Sequence, residues 1–112
     1  MPDGEGRNLK VWTVHRSPAL GVYYIELARL IRLQRLIRAD LSVLVLRGRL
    51  KVRVAASERI VEAGAYVSIP RATPFRIVRV GPKKALLAVF LSPDSRMMRI
   101  HESFIPQPID GL

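Results

Sequence analysis

The chain has no cysteine among its 112 residues. That excludes a disulfide framework, a thiolate metal site and a cysteine nucleophile. Its two histidines, His15 and His101, make a poor metal site without a third ligand. Aromatic residues are 6% of the chain and Trp12 is the only tryptophan, so a base-stacking platform for nucleic acid has little material. No apolar run reaches the roughly 18 residues of a membrane helix. The opening MPDGEGRNLK lacks the apolar stretch of a signal peptide. Acidic side chains are scarce, 9 against 19 Lys and Arg, which leaves a net charge of +10. Such an excess suits a phosphate-bearing partner. No helix-turn-helix, zinc-finger or aromatic RNP pattern accompanies it, however. A solvated, thermophile-like basic surface accounts for it better, although the cations are too many to pair fully. These absences predict a cytoplasmic protein with no membrane segment and no nucleic-acid partner.

What is present is a globular composition, 49% hydrophobic and 25% charged, of a length that suits one domain. Residues 1–8 read as a flexible tail. LKVWTVH (9–15) alternates as a strand does, and Ser17, Pro18 and Gly21 punctuate the turn after it. Residues 22–46 place Glu26, Arg29, Arg32, Arg35 and Arg38 at every third position, a period of neither helix nor strand. Strand with a bend over Ala28 to Arg32 puts Ile25, Leu27, Ile31, Leu33 and Ile37 on one face. Strand is the expectation here, although the local propensity of leucine and arginine argues for helix. Around Gly48 a bulge or tight bend is expected. Beyond it Leu50, Val52 and Val54 alternate with Arg49, Lys51 and Arg53. AASE reads as a hairpin turn, RIVEAGAYVSI as two short strands about Gly64, and FRIVRV and ALLAVFL as two further strands, the last fully buried. Short strands at this spacing predict an all-β antiparallel sandwich or barrel.

The second half carries a specific pattern. Gly64 is followed after five residues by Pro70, after one by Ala72, after two by Phe75 and after three by Arg79. Residues 22–93 thus resemble a cupin, the small RmlC-like double-sheet jelly-roll barrel (double-stranded β-helix). The second motif of that family reads glycine, proline, glycine, histidine, asparagine at these spacings. Gly64 and Pro70 match, Ala72 is a small substitute, Phe75 replaces the metal-binding histidine and Arg79 the asparagine. Anchoring the first motif on Gly48 puts its glutamate at Leu41 and its histidines at Arg35 and Ile37, or at Gln34 and Leu36 with the longer spacer. None of the four expected ligands is present. The resemblance therefore implies a jelly roll over residues 9–95, with residues 96–112 as an extension packing on the barrel or a partner subunit. It also implies no metal or other cofactor at the usual site.

The resemblance turns Arg35 and Arg79 inward. A guanidinium is costly to bury unpaired. The two form either an arginine clamp for a small carboxylate or phosphate, or ordinary cations that snorkel at the barrel mouth or pair with Glu26 or Asp40. The latter is the plainer reading. Phe75, Ile37 and Leu41 would line the same interior, and Arg71 and Thr73 tip the proline loop SIPRATP. The stripe Arg47, Arg49, Lys51 and Arg53 reads as an edge or outer strand kept soluble. Tyr23, Tyr24 and Tyr66 could serve as acids, but nothing singles one out. Three functions follow, the first leading. They are a non-catalytic barrel for a small anionic metabolite, a metal-independent isomerase or lyase, and a structural or regulatory barrel with a filled interior. A homodimer is expected, since cupins commonly pair through their sheets.

Overall fold

The computed structural model describes residues 4–5, 8–34 and 39–92, with side chains for 8–31 and 39–92. The described residues form ten strands and no helix. They are β1 (Gly4–Glu5), β2 (Leu9–Arg16), β3 (Gly21–Leu27), β4 (Leu30–Gln34), β5 (Asp40–Arg47), β6 (Arg49–Val54), β7 (Ser57–Glu62), β8 (Tyr66–Ile69), β9 (Phe75–Val80) and β10 (Ala85–Ser92). One sheet runs β1-β2-β3-β10-β5-β8, the other β4-β9-β6-β7, and every pairing is antiparallel. From β3 onward the chain passes repeatedly between the sheets, which is jelly-roll topology.

The first crossing explains the start of the odd charge period, at Glu26 and Arg29. The chain leaves the first sheet after Leu27, bends at Ala28 and Arg29, and enters the second at Leu30. Tyr23, Ile25, Leu27 and Ile31 are all buried, while Arg29 sits exposed on the bend. The bend is thus shorter than the stretch to Arg32 that the sequence suggests. Asn8 clips it. The Asn8 side-chain amide donates to Leu30 O and accepts from Leu30 N at 2.8 Å, and Asn8 O accepts from Ala28 N at 2.8 Å. This corrects the expected tail at its inner end. Asn8 is buried, and Gly4–Glu5 pairs with Lys10 and Val11 of β2.

At Gly48 the chain crosses between sheets at φ +90, and an added Cβ would lie 3.0 Å from Ala85 Cα. Both the left-handed backbone and the close approach require glycine. Between the sheets lies a continuous core that includes Leu41, Val43, Val45, Leu50, Phe75, Ile77, Leu87 and Val89, all at most 1% exposed. β10 is not fully buried as expected. Leu86 and Phe90 are half-buried, since they belong to the outer face of the first sheet.

The two outer faces differ. Across the first sheet Trp12, Tyr24, Ala88, Leu44 and Tyr66 stand opposite one another in register, an apolar row over five strands and about 19 Å. The second sheet presents Arg49, Lys51, Arg53 and Arg76. Its β6 is an inner strand between β9 and β7, not an edge. The charge stripe is partly answered by β7, with Arg49 Nε 3.0 Å from Glu62 Oε1 and Lys51 Nζ 3.9 Å from Glu58 Oε1. No helix among the described residues is long and apolar enough to cross a membrane.

Candidate functional site

Alternation along β9 puts Phe75, Ile77 and Arg79 on the inner face. Phe75 opens the strand opposite Val54 of β6 and Gln34 of β4, and it is fully buried. Leu41 opens the inner face of β5 opposite Ile69 and Leu91, also buried. An aromatic ring and an isobutyl group offer no lone pair to a cation that takes nitrogen or oxygen donors. Among the described residues no three His, Asp or Glu side chains converge. The residues present therefore do not fit the metal of the resembled family. Arg35, Ile37, His101 and the extension from residue 96 lie outside the described residues.

Arg79 does reach the inner face, standing opposite buried Leu50. Its guanidinium acceptors are backbone carbonyls. Nε donates to Ala28 O, and Nη1 to Gly81 O and to Lys83 O at 3.4 Å. Its own N–H donates to Arg29 O at 2.8 Å. The partners weighed from sequence are engaged elsewhere, Glu26 with Lys84 Nζ at 3.9 Å and Asp40 with Arg71. Arg79 thus braces the Ala28–Leu30 corner from the side opposite Asn8. Gln34, the last described residue before Arg35, pairs with Phe75, four residues and about 13 Å along β9 from Arg79.

Arg71 ties the proline loop to β5. Its backbone N–H donates to Asp40 Oδ1 at 2.8 Å, its Nε to the same oxygen at 3.3 Å, and its Nη2 to Oδ2 at 3.3 Å. These side-chain and backbone hydrogen bonds from Arg71 hold the Asp40 carboxyl below its ordinary value. Thr73 N donates to Pro70 O at 3.2 Å and Ala72 sits at φ 63, so the loop contains a β-turn whose third residue is left-handed. Pro74 O accepts from Ala55 N at 2.8 Å, joining this loop to the β6–β7 turn at the same end of the barrel.

A cavity opens elsewhere, between β7 and β8, the outermost described strands of the two sheets on that side. It measures about 320 Å3 and is lined by Val52, Val54, Ser57, Arg59, Val67 and Ser68. Val52 and Val67 are buried, and Val54 is half-buried against the core. Ser57 stands opposite Val54 and Arg59 opposite Val52, so both occupy inner-face positions of β7. Glu58 and Glu62 point outward, to Lys51 and Arg49. Among the described residues the side chains of Ser57 and Arg59 have no hydrogen-bond or ion-pair partner. Of the site residues expected from sequence, the described ones, Leu41, Arg71, Phe75 and Arg79, do not line this cavity. The signal for it was present: in SERIV, alternation puts Ser57, Arg59 and Val61 on one face and thus an arginine on an otherwise apolar stripe.

No protein-family model and no curated protein sequence matches the chain. Solved structures do. An RmlC-like cupin from Shewanella frigidimarina superposes with a TM-score of 0.78 at 18% identity, covering 87% of this chain and 86% of that one. KdgF from Halomonas sp. gives 0.75 at 20% identity over 83% and 86%. The Cnp3 cupin domain of Schizosaccharomyces pombe gives 0.73 at 16% over 90% and 75%. With the strand orders above, these likenesses establish the architecture: the chain has the cupin fold, the small double-sheet jelly roll.

Proposed function

We propose that this protein is a non-catalytic cupin-fold barrel that binds a small molecule in the cavity between β7 and β8. The observation that supports this is the open cavity of about 320 Å3, at the small end of ligand-pocket sizes. Its described lining holds no acid–base pair, only valines, two serines and an arginine. That speaks for binding over proton-transfer chemistry. The burial of Phe75 and Leu41 favours a second reading, a filled barrel with a structural or regulatory role. Native mass spectrometry of gently purified protein separates the two. A retained small organic mass, released on denaturation, supports the binding barrel. A bare polypeptide mass that stays bare after incubation with a metabolite mixture supports the filled one.

The same reading includes a homodimer formed through the outer face of the first sheet. That face carries the apolar row with Tyr24 and Tyr66 exposed by 42% and 59%, whereas the arginines of the other face repel a second copy. Light scattering should give twice the chain mass, and Leu44→Lys, which charges the row between Ala88 and Tyr66, should return it to one. A monomeric parent protein contradicts the proposal.

A further inference from the structure

The binding-barrel reading leaves the ligand's chemistry open, and the cavity wall carries information on it. We infer that the slot between β7 and β8 takes an amphipathic monoanion, a carboxylate with a short apolar body. The apolar body lies on Val52, Val54 and Val67, and the carboxylate is held by Arg59 with Ser57 beside it. This inference rests on the reading of the barrel as a binding protein and adds the ligand class.

Three observations carry it. The first is placement. A guanidinium is an unusual occupant of an inner-face position, and Arg59 holds one directly across from Val52, which is 4% exposed. The other inner-face arginine described above, Arg79, is taken up by carbonyls, whereas Arg59 has no partner among the described residues. The second is charge. The acidic neighbours of Arg59 on its own strand, Glu58 and Glu62, lie on the outer face and are paired there, so no described carboxylate of β7 neutralises it from within the slot. A net charge of +10 adds a favourable field for an incoming anion. The third is stoichiometry. Among the described residues the lining provides one cation, with the Ser57 hydroxyl two residues along the same strand face as a further donor. One guanidinium fork matches one carboxylate bidentately. A phosphate dianion would call for more positive charge than the described lining holds. The three valines would then exclude water from an alkyl or small ring body.

The test compares octanoate with octanol and acetate by isothermal calorimetry, in the full chain and in Arg59→Gln. Arg59 is exposed, so the substitution leaves the core intact. Arg76→Gln, on the outer face of the second sheet, controls for net charge. The expected result is saturable octanoate binding, with octanol and acetate each weaker by about tenfold or more. Arg59→Gln should lose the preference for octanoate over octanol and Arg76→Gln should keep it. If octanol binds as tightly as octanoate and Arg59→Gln changes nothing, the monoanion inference is overturned while the binding barrel stands. If none of the three binds, the inference is overturned too, and the binding barrel falls with it when native mass spectrometry also finds no retained ligand.

Discussion

Arg59 of β7 stands directly opposite Val52 of β6, so a guanidinium shares the face of a buried valine. The pair sits at the outermost described strand of the second sheet, next to β8 of the first. Phe75 and Leu41, the residues that the motif resemblance sets at metal-ligand positions, are both packed core. The proposed binding surface of the barrel is thus the slot between β7 and β8, not its centre.

The packed centre has a direct consequence for metals. Iron, manganese, nickel or zinc bound by the folded barrel would raise its melting temperature by mass action. We expect the melting temperature to be the same with a chelator and with each of these ions added. Phe75→Ala, by contrast, should cost about 3–5 kcal/mol, from lost burial plus the cavity it leaves. Urea unfolding measures it.

Arg79 and Asn8 grip the same corner from two sides. Arg79→Ala removes a charged donor from three carbonyls and should destabilise by about 1.5–3 kcal/mol. Asn8→Ala leaves both backbone groups of Leu30 without their side-chain partner. Because both hold Ala28 to Leu30, the double variant should depart from additivity by at least ~0.5 kcal/mol in a urea-unfolding cycle. Strict additivity would mean that the two clips act independently.

The proline loop should respond to acid. Asp40 has its folded pKa depressed by the Arg71 hydrogen bonds, from an ordinary 3.8. Its contribution is therefore complete above the unfolded value and is lost as pH falls through the folded one. Carboxyl carbon NMR of Asp40 should show the depressed titration. Arg71→Ala should move it part of the way back, since the backbone N–H of residue 71 still donates. An unchanged titration in Arg71→Ala would assign the effect to that N–H alone.

Ala72 occupies a left-handed turn position at φ 63, where an L side chain is strained and glycine is not. Ala72→Gly should stabilise by roughly 0.5–1 kcal/mol, read as a higher urea midpoint at unchanged slope. The same argument covers Ala55, at φ 53 in the β6–β7 turn.

Much of the fold was legible in the sequence because alternation and turn residues act locally. Gly48, the AASE turn and the spacing from Gly64 to Phe75 each mark a crossing or hairpin that the structure contains. The inward face of Phe75 followed from the same pattern. Non-local features were harder to read. Asn8 looks like tail until Leu30 lies beside it, 22 residues on. The acceptors of Arg79 are carbonyls of Ala28, Gly81 and Lys83, and a backbone acceptor leaves no mark in side-chain identity. The slot lies between β7 and β8, the outermost described strands of different sheets. Strand patterning alone does not show which strands end as edges.

The most direct test of the account is a methyl NMR titration with octanoate, in protein labelled at its valine and leucine methyls. The account predicts that the shifts concentrate at Val52, Val54 and Val67 while Leu41 and Leu87 stay in place. Shifts centred on Leu41 and Leu87 would put the ligand inside the barrel, and shifts at none of these methyls would leave the slot without a ligand. Either result contradicts the account.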